Sequence, residues 1–332
     1  MTRTIAAVAT LSLLLAACGN DDGDTSMASE GNGEQTETLQ VVASFYPVAE
    51  AAQAVGGDLV EVANLTPAGT EPHDLELRSR QVDQLQDADL VFYLGQGFQP
   101  AVQEIAERRD GPSVDLLDTL PLEEGAIEFD DHGGEDEHAG EEEGAHAGEE
   151  EGGHAGEALD PHFWLDPTLM ADAVDQIEAA LVEIAPQHED AFAANAEAYR
   201  SQLADLDEEF SAALAECEQR VIVTSHAAFH YLAQRYDLEQ LPIAGLSPEA
   251  EPGPQRIAEL ADLILAEGVT TVFYETLVAP DVAETLARET GAETAVLNPL
   301  EGLTAEDVEA GRDYTDVMRD NLAALTEALD CA

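Results

Sequence analysis

The chain has 332 residues, too many for one small domain and enough for about two lobes. Apolar residues make up 45%, so a packed core can form and the chain as a whole is not disordered. With 12 Lys plus Arg against 71 Asp plus Glu the formal net charge is −59, a field that repels polyanions, excludes nucleic-acid binding and attracts cations.

Residues 1–17 carry Arg3, an apolar stretch over 5–15 and then Leu15-Ala16-Ala17-Cys18. The stretch is too short to span about 30 Å of hydrocarbon. It reads as a signal peptide, and Leu-Ala-Ala-Cys is the bacterial lipobox pattern. Cys18 is therefore expected to carry lipid and to begin the mature protein, which makes it an anchor that does not span. Residues 18–38 are rich in Gly, Asp, Ser, Thr and Glu and read as a flexible tether.

A first lobe is expected over residues 39–165. The runs 40–46 (QVVASFY), 60–65 and 89–94 (DLVFYL) read as strands, and 48–55, 78–87 and 100–109 as helices. Within it, residues 122–159 change character. His138-Ala-Gly-Glu-Glu-Glu-Gly-Ala repeats from His146 and again from His154, and His132 precedes the series. Such an acidic, Gly-rich segment cannot form a core and is expected to be a disordered insertion on a folded scaffold.

Connecting helices are expected over 166–218: 167–184 and 186–216 are rich in Ala, Glu and Leu, and Pro186 separates them. The second is long enough to be a stiff connector. A second lobe, 219–332, repeats the alternation, with strands at 220–224 (RVIVT), 241–245, 270–274 (TTVFY) and 294–297. Helices are expected at 226–236, 254–267, 280–290 and 314–329. Strand–helix alternation gives the fold class α/β, two lobes each with a short parallel sheet flanked by helices, joined by one long rigid helix. Such sheets bind ligands at the C-terminal ends of their strands. Cys217 and Cys331 are expected to form a disulfide in an oxidising compartment, tying the start of the second lobe to the chain's end.

Five of the nine histidines lie outside the acidic loop. His73 sits in Glu71-Pro72-His73-Asp74, His162 in Asp160-Pro161-His162-Phe163-Trp164, and His226 in Thr224-Ser225-His226, all near expected element ends. Spacing alone does not bring them together. They are too scattered for a local zinc ribbon, although His226 and His230 stand four apart and could share a helix face.

Four segments carry a resemblance. Glu71-Pro72-His73-Asp74-Leu75-Glu76, Asp160-Pro161-His162-Phe163-Trp164-Leu165-Asp166, the Thr224–Ala233 segment TSHAAFHYLA and Leu297-Asn298-Pro299-Leu300-Glu301-Gly302-Leu303-Thr304 resemble, in order, the zinc-binding solute-binding lipoproteins of bacterial ABC metal importers. The resemblance runs from about residue 39 to the end, broken only by the acidic loop. It implies a metal site in the cleft between the lobes. By matching motif, the ligands are His73 and His162 from the first lobe and His226 and Glu301 from the second. Three imidazoles and one carboxylate suit Zn²⁺, whereas an oxygen-rich set suits Mn²⁺. Glu275 is the competing acid, expected instead to orient a ligand histidine, with Asp74 and Asp166 as further candidates for that role. His132, His138, His146 and His154 are expected to gather zinc weakly.

The function so implied is extracytoplasmic capture of Zn²⁺ as transported cargo and its delivery to an ABC permease and its ATPase. The protein would be a lipid-anchored monomer at the cell membrane and not an enzyme. The alternatives are a manganese importer component or adhesin of the same fold, or a zinc-dependent hydrolase in which Glu301 or Glu275 acts as base.

Overall fold

In a computed structural model, residues 38–122, 159–249 and 252–332 are described. The first apolar run becomes β1 (Leu39–Ala43), buried over its last three residues. α1 (Tyr46–Gly56) takes Pro47 into its first turn, where a missing N–H is harmless, and stops at Gly57, whose φ of 56° suits glycine. β2 (Val60–Asn64), α2 (Ser79–Asp87), β3 (Leu90–Tyr93) and α3 (Pro100–Ala106) follow. The lobe then adds β4 (Ser113–Asp115) and α4 (Leu116–Thr119). Periodicity does not reveal β4, because three residues are too few to carry a period.

The four strands pair in parallel in the order β2-β1-β3-β4. The chain leaves β1 towards β2, then returns past it to β3. The gap between β1 and β3 is therefore a switch point, where a crevice opens beyond the carboxyl ends of the strands.

α5 (Pro167–Ile184) begins where the Asp166 carboxylate accepts the Thr168 N–H. Pro186 breaks the helix into a short turn, and α6 (Glu189–Ala213) runs on for 25 residues. At about 1.5 Å per residue it is some 37 Å long. Its buried stripe, Phe192, Ala196, Tyr199, Leu203, Leu206 and Phe210, recurs every three or four residues.

The second lobe contains β5 (Val221–Thr224), α7 (His230–Arg235), β6 (Glu239–Pro242), α8 (Pro254–Glu267) and β7 (Thr271–Tyr274). It closes with α9 (Asp281–Thr290), β8 (Glu293–Val296), α10 (Ala305–Ala310) and α11 (Tyr314–Ala328). The order β6-β5-β7-β8, again parallel, repeats the first sheet and puts a second switch point between β5 and β7. Here the structure corrects two expectations. The helix expected from 226 starts only at His230, because the Thr224 hydroxyl donates to His226 O (2.8 Å) and Ala227 N–H to Gly245 O (3.0 Å), which holds a turn. His226 and His230 therefore share no helix face. The strand expected at 241–245 lies at Glu239–Pro242.

One apolar cluster runs through both lobes and the connector, from Val41 and Phe92 through Trp164, Phe192 and Phe210 to Phe229, Tyr314 and Met318. Smaller clusters cover the remaining face of each sheet. α6 packs on α5, on α1 and on α11, so it is embedded between the lobes along its buried stripe. Cys217 and Cys331, 114 residues apart, are joined by a disulfide. Among the described residues no helix is long and apolar enough to cross a membrane.

Candidate metal centre

Each lobe presents two side chains to the cleft. His73 comes from the long loop after β2. The Glu71 carboxylate accepts its backbone N–H at 3.0 Å, and the Phe98 ring lies edge-on at 4.6 Å between centroids. His162 precedes the turn Phe163–Leu165; Asp160 Oδ1 accepts both its backbone N–H (2.9 Å) and its ring Nδ1–H (2.6 Å). In both segments an acid two residues ahead, with proline between, pins the histidine backbone.

His226 follows β5 directly and gives its Nδ1–H to Glu275 Oε1 at 2.6 Å. Glu275 follows β7, so donor and acceptor flank the switch point. Glu301 sits in the loop after β8. Asn298 Oδ1 accepts Leu300 N–H (2.8 Å), Asn321 clasps the Asn298 backbone from both sides (2.8 and 2.7 Å), and Leu300 adopts φ 58°. Trp164 Nε1–H donates to Pro299 O at 2.7 Å and Tyr314 O–H to Trp164 O at 2.6 Å, which fixes the two ligand-bearing segments to each other across the lobes.

The four side chains meet. Glu301 Oε1 lies 3.2 Å from His73 Nε2, 3.2 Å from His162 Nε2 and 3.3 Å from His226 Nε2. His162 and His226 Nε2 are 3.3 Å apart, and one ligand atom from each of the four residues falls within 4.8 Å of all the others. Tetrahedral ligands about 2.0–2.1 Å from zinc stand about 3.3–3.4 Å apart, so these four separations suit that ion. His73 keeps 11% of its side chain exposed, while the other three keep 1% or less.

The donor set also calls for a cation. Asp160 and Glu275 occupy Nδ1 of His162 and His226, which leaves Nε2 of both rings aimed at the Glu301 carboxylate, where a proton or a metal ion must lie between nitrogen and oxygen. Burial opposes charge on His162, but Asp160 and then Glu301 outweigh it and raise its pKa. Burial likewise opposes charge on His226, and Glu275 and Glu301 lift it well above the usual imidazole range. Burial would raise Glu301, yet His226 and hydrogen bonds from the three imidazoles hold it well below the usual carboxylate range. Glu71 is pushed up to about 9, by burial first and then by the charge of Glu301. Three neutral imidazoles and one carboxylate around a divalent ion leave a net charge of +1.

Two expected orienting acids stand elsewhere. Asp74 is exposed, and Asp166 is spent on the start of α5, through the Thr168 backbone and hydroxyl. Asp160 holds His162 instead, and Glu71 holds the His73 backbone. The signal for both is the acid-Pro-His order itself. His132, His138, His146, His154 and Cys18 lie outside the described residues.

Fold and site together define a class: two-lobed α/β proteins with a buried group between the lobes that can hold a transition metal. Within it, the chain belongs to the family described as zinc-uptake complex component A, periplasmic (ZnuA), which matches residues 41–328. It is 37% identical over 323 residues to the zinc-binding lipoprotein AdcA of Streptococcus pneumoniae, covering 96% of this chain and 59% of that protein. The chain thus spans under two thirds of the AdcA length. It is 37% identical over 325 residues to the high-affinity zinc uptake system protein ZnuA of Bacillus subtilis, covering 97% and 96%. Among solved structures, the Zn(II)-bound ZnuA-like domain of S. pneumoniae AdcA superposes with TM-score 0.69 at 33% identity, over 88% of this chain and 99% of that one. The laminin-binding protein Lmb of Streptococcus agalactiae, described as an adhesin with metal-transporting activity, gives TM-score 0.72 at 28% identity, over 88% and 100%.

Proposed function

We propose that this protein captures Zn²⁺ outside the cytoplasm in the cleft between its lobes and hands it to an ABC permease driven by its ATPase. His73, His162, His226 and Glu301 are the ligands. The observation that carries this is the convergence of their four ligand atoms within 4.8 Å, with Nδ1 of two imidazoles already locked by acids. Three nitrogens and one carboxylate favour zinc over manganese, which prefers oxygen.

The lobes are residues 39–165 and 219–332, with 166–218 between them. Lipid on Cys18 and the tether 18–38 hold this monomeric body at the membrane surface. The His- and acid-rich loop gathers zinc through weak, numerous ligands. Titration with zinc of the wild type and of H73A/H162A/H226A tests the site. The variant is expected to lose the tight site, and unchanged tight binding rejects the proposal. In the same titration, a chain lacking residues 130–157 is expected to keep the tight site and lose only weaker ones.

A further inference from the structure

Among the described residues, His73 is the one histidine of the three whose Nδ1 no acid holds. Its loop runs from the end of β2 to the start of α2 without regular structure. Its neighbour Pro72 has no backbone N–H, so only the Pro72 carbonyl can tie the chain down at that residue. That carbonyl accepts the Leu75 N–H from within the loop and Nε2–H of Gln99 from outside it, each at 3.2 Å.

Gln99 is 2% exposed and stands where α3 begins, with its own carbonyl taking the Val102 and Gln103 N–H groups at 3.0 Å each. Its backbone is thus fixed by the helix. The amide orientation is fixed as well. Nε2 faces Pro72 O, Thr66 Oγ1 (2.9 Å) and Ser44 O (3.4 Å), and Thr66 Oγ1–H donates to Ser44 O (2.8 Å). A flipped amide would set an oxygen against two carbonyl oxygens. The two Nε2 protons therefore go to Thr66 Oγ1 and Pro72 O. Among the described residues Gln99 Oε1 is buried and accepts no hydrogen bond. The preceding residue, Phe98, supplies the ring that meets His73 edge-on and is packed in turn against Phe45 (5.0 Å) and Trp164 (5.8 Å).

We infer that Gln99 is a positioning residue for zinc capture: bound to the ends of β1 and β2 on one side and to the Pro72 carbonyl on the other, it holds His73 in register with the other three ligands. This rests on His73 being a ligand. Groups that orient ligands typically contribute about 10–100-fold to metal affinity.

The test is a double-mutant cycle on the full chain, reading zinc affinity by competition with a chromophoric chelator. Q99M keeps the volume and removes the donors, and Q99A is the second variant. Each is expected to weaken zinc about 10-fold when His73 is present and to change little in an H73A background. A purely structural role would weaken both backgrounds alike, and that result overturns the inference. Wild-type affinity in Q99M and Q99A beside a weakened H73A overturns it alone and leaves the ligand set standing. An H73A variant that binds as tightly as wild type overturns the ligand set and this inference with it. If thermal melting shows that neither Gln99 variant folds, the amide belongs to the core, and the inference is also overturned.

Discussion

Both sheets share one strand order, yet the lobes secure the four converging side chains by different means. In the first lobe the acids are local: Glu71 and Asp160 each stand two residues ahead of the histidine they hold. In the second lobe the acid is remote. Glu275 is 49 residues from His226, and only the pairing of β5 with β7 brings them together. Glu301 depends on Asn298 and on Asn321 from α11, while the His73 loop depends on a few bonds, one of them from Gln99. A local acid keeps its hold if the sheet shifts, whereas a remote acid makes the ligand report on the packing of the whole lobe.

Removing the acids sharpens this contrast most. D160A takes away two hydrogen bonds, to the His162 ring and to its backbone, and E275A takes away one. Zinc affinity is expected to fall towards about 100-fold in D160A and nearer about 10-fold in E275A, measured by chelator competition. Equal losses would mean that the extra backbone bond carries no weight.

Acidity should act more mildly and on both lobes. The pKa values of His162 and His226 are raised in the metal-free protein, so protons occupy sites that zinc needs. Binding must then release protons, and affinity must fall as pH falls through the raised imidazole range. Glu301, held low, stays ionised throughout and adds no proton. Calorimetry at neutral pH in buffers of different ionisation enthalpy should show net proton release; proton uptake would contradict the assignment.

The smallest effect expected is on shape. α6 is embedded in the core that both lobes share, so loss of zinc should move loops more than lobes. Small-angle scattering from metal-free and loaded protein should give nearly the same radius of gyration, and a wide opening would break the picture.

Much of this fold is visible in the sequence, because Pro and Gly mark where its helices start and stop. α5 and α8 begin at prolines, and α9 ends at a glycine in the left-handed region. Short elements escape: β4 has three residues, and α10, six residues long, is set by a Thr304–Asp307 capping box. The ligand segments are legible as motifs, but their convergence is not, since His73 and Glu301 are 228 residues apart and only the fold joins them. The orienting acids divide in the same way. Asp160 is legible in the acid-Pro-His order, whereas Asp74, next to His73, and Asp166, four residues after His162, face solvent and a helix start. Gln99 carries no local sign of its role, because its partner is reached only when α3 seats against the loop.

The exposure of the four side chains is lopsided: 11% for His73 against at most 1% for the others. Among the described residues, His73 is the one of the four side chains that meets solvent appreciably, so that side offers the opening and that imidazole is the first of the four an arriving ion meets. Extraction by a chelator must proceed through the same opening, so bulky chelators should strip the ion more slowly than slim ones of equal strength.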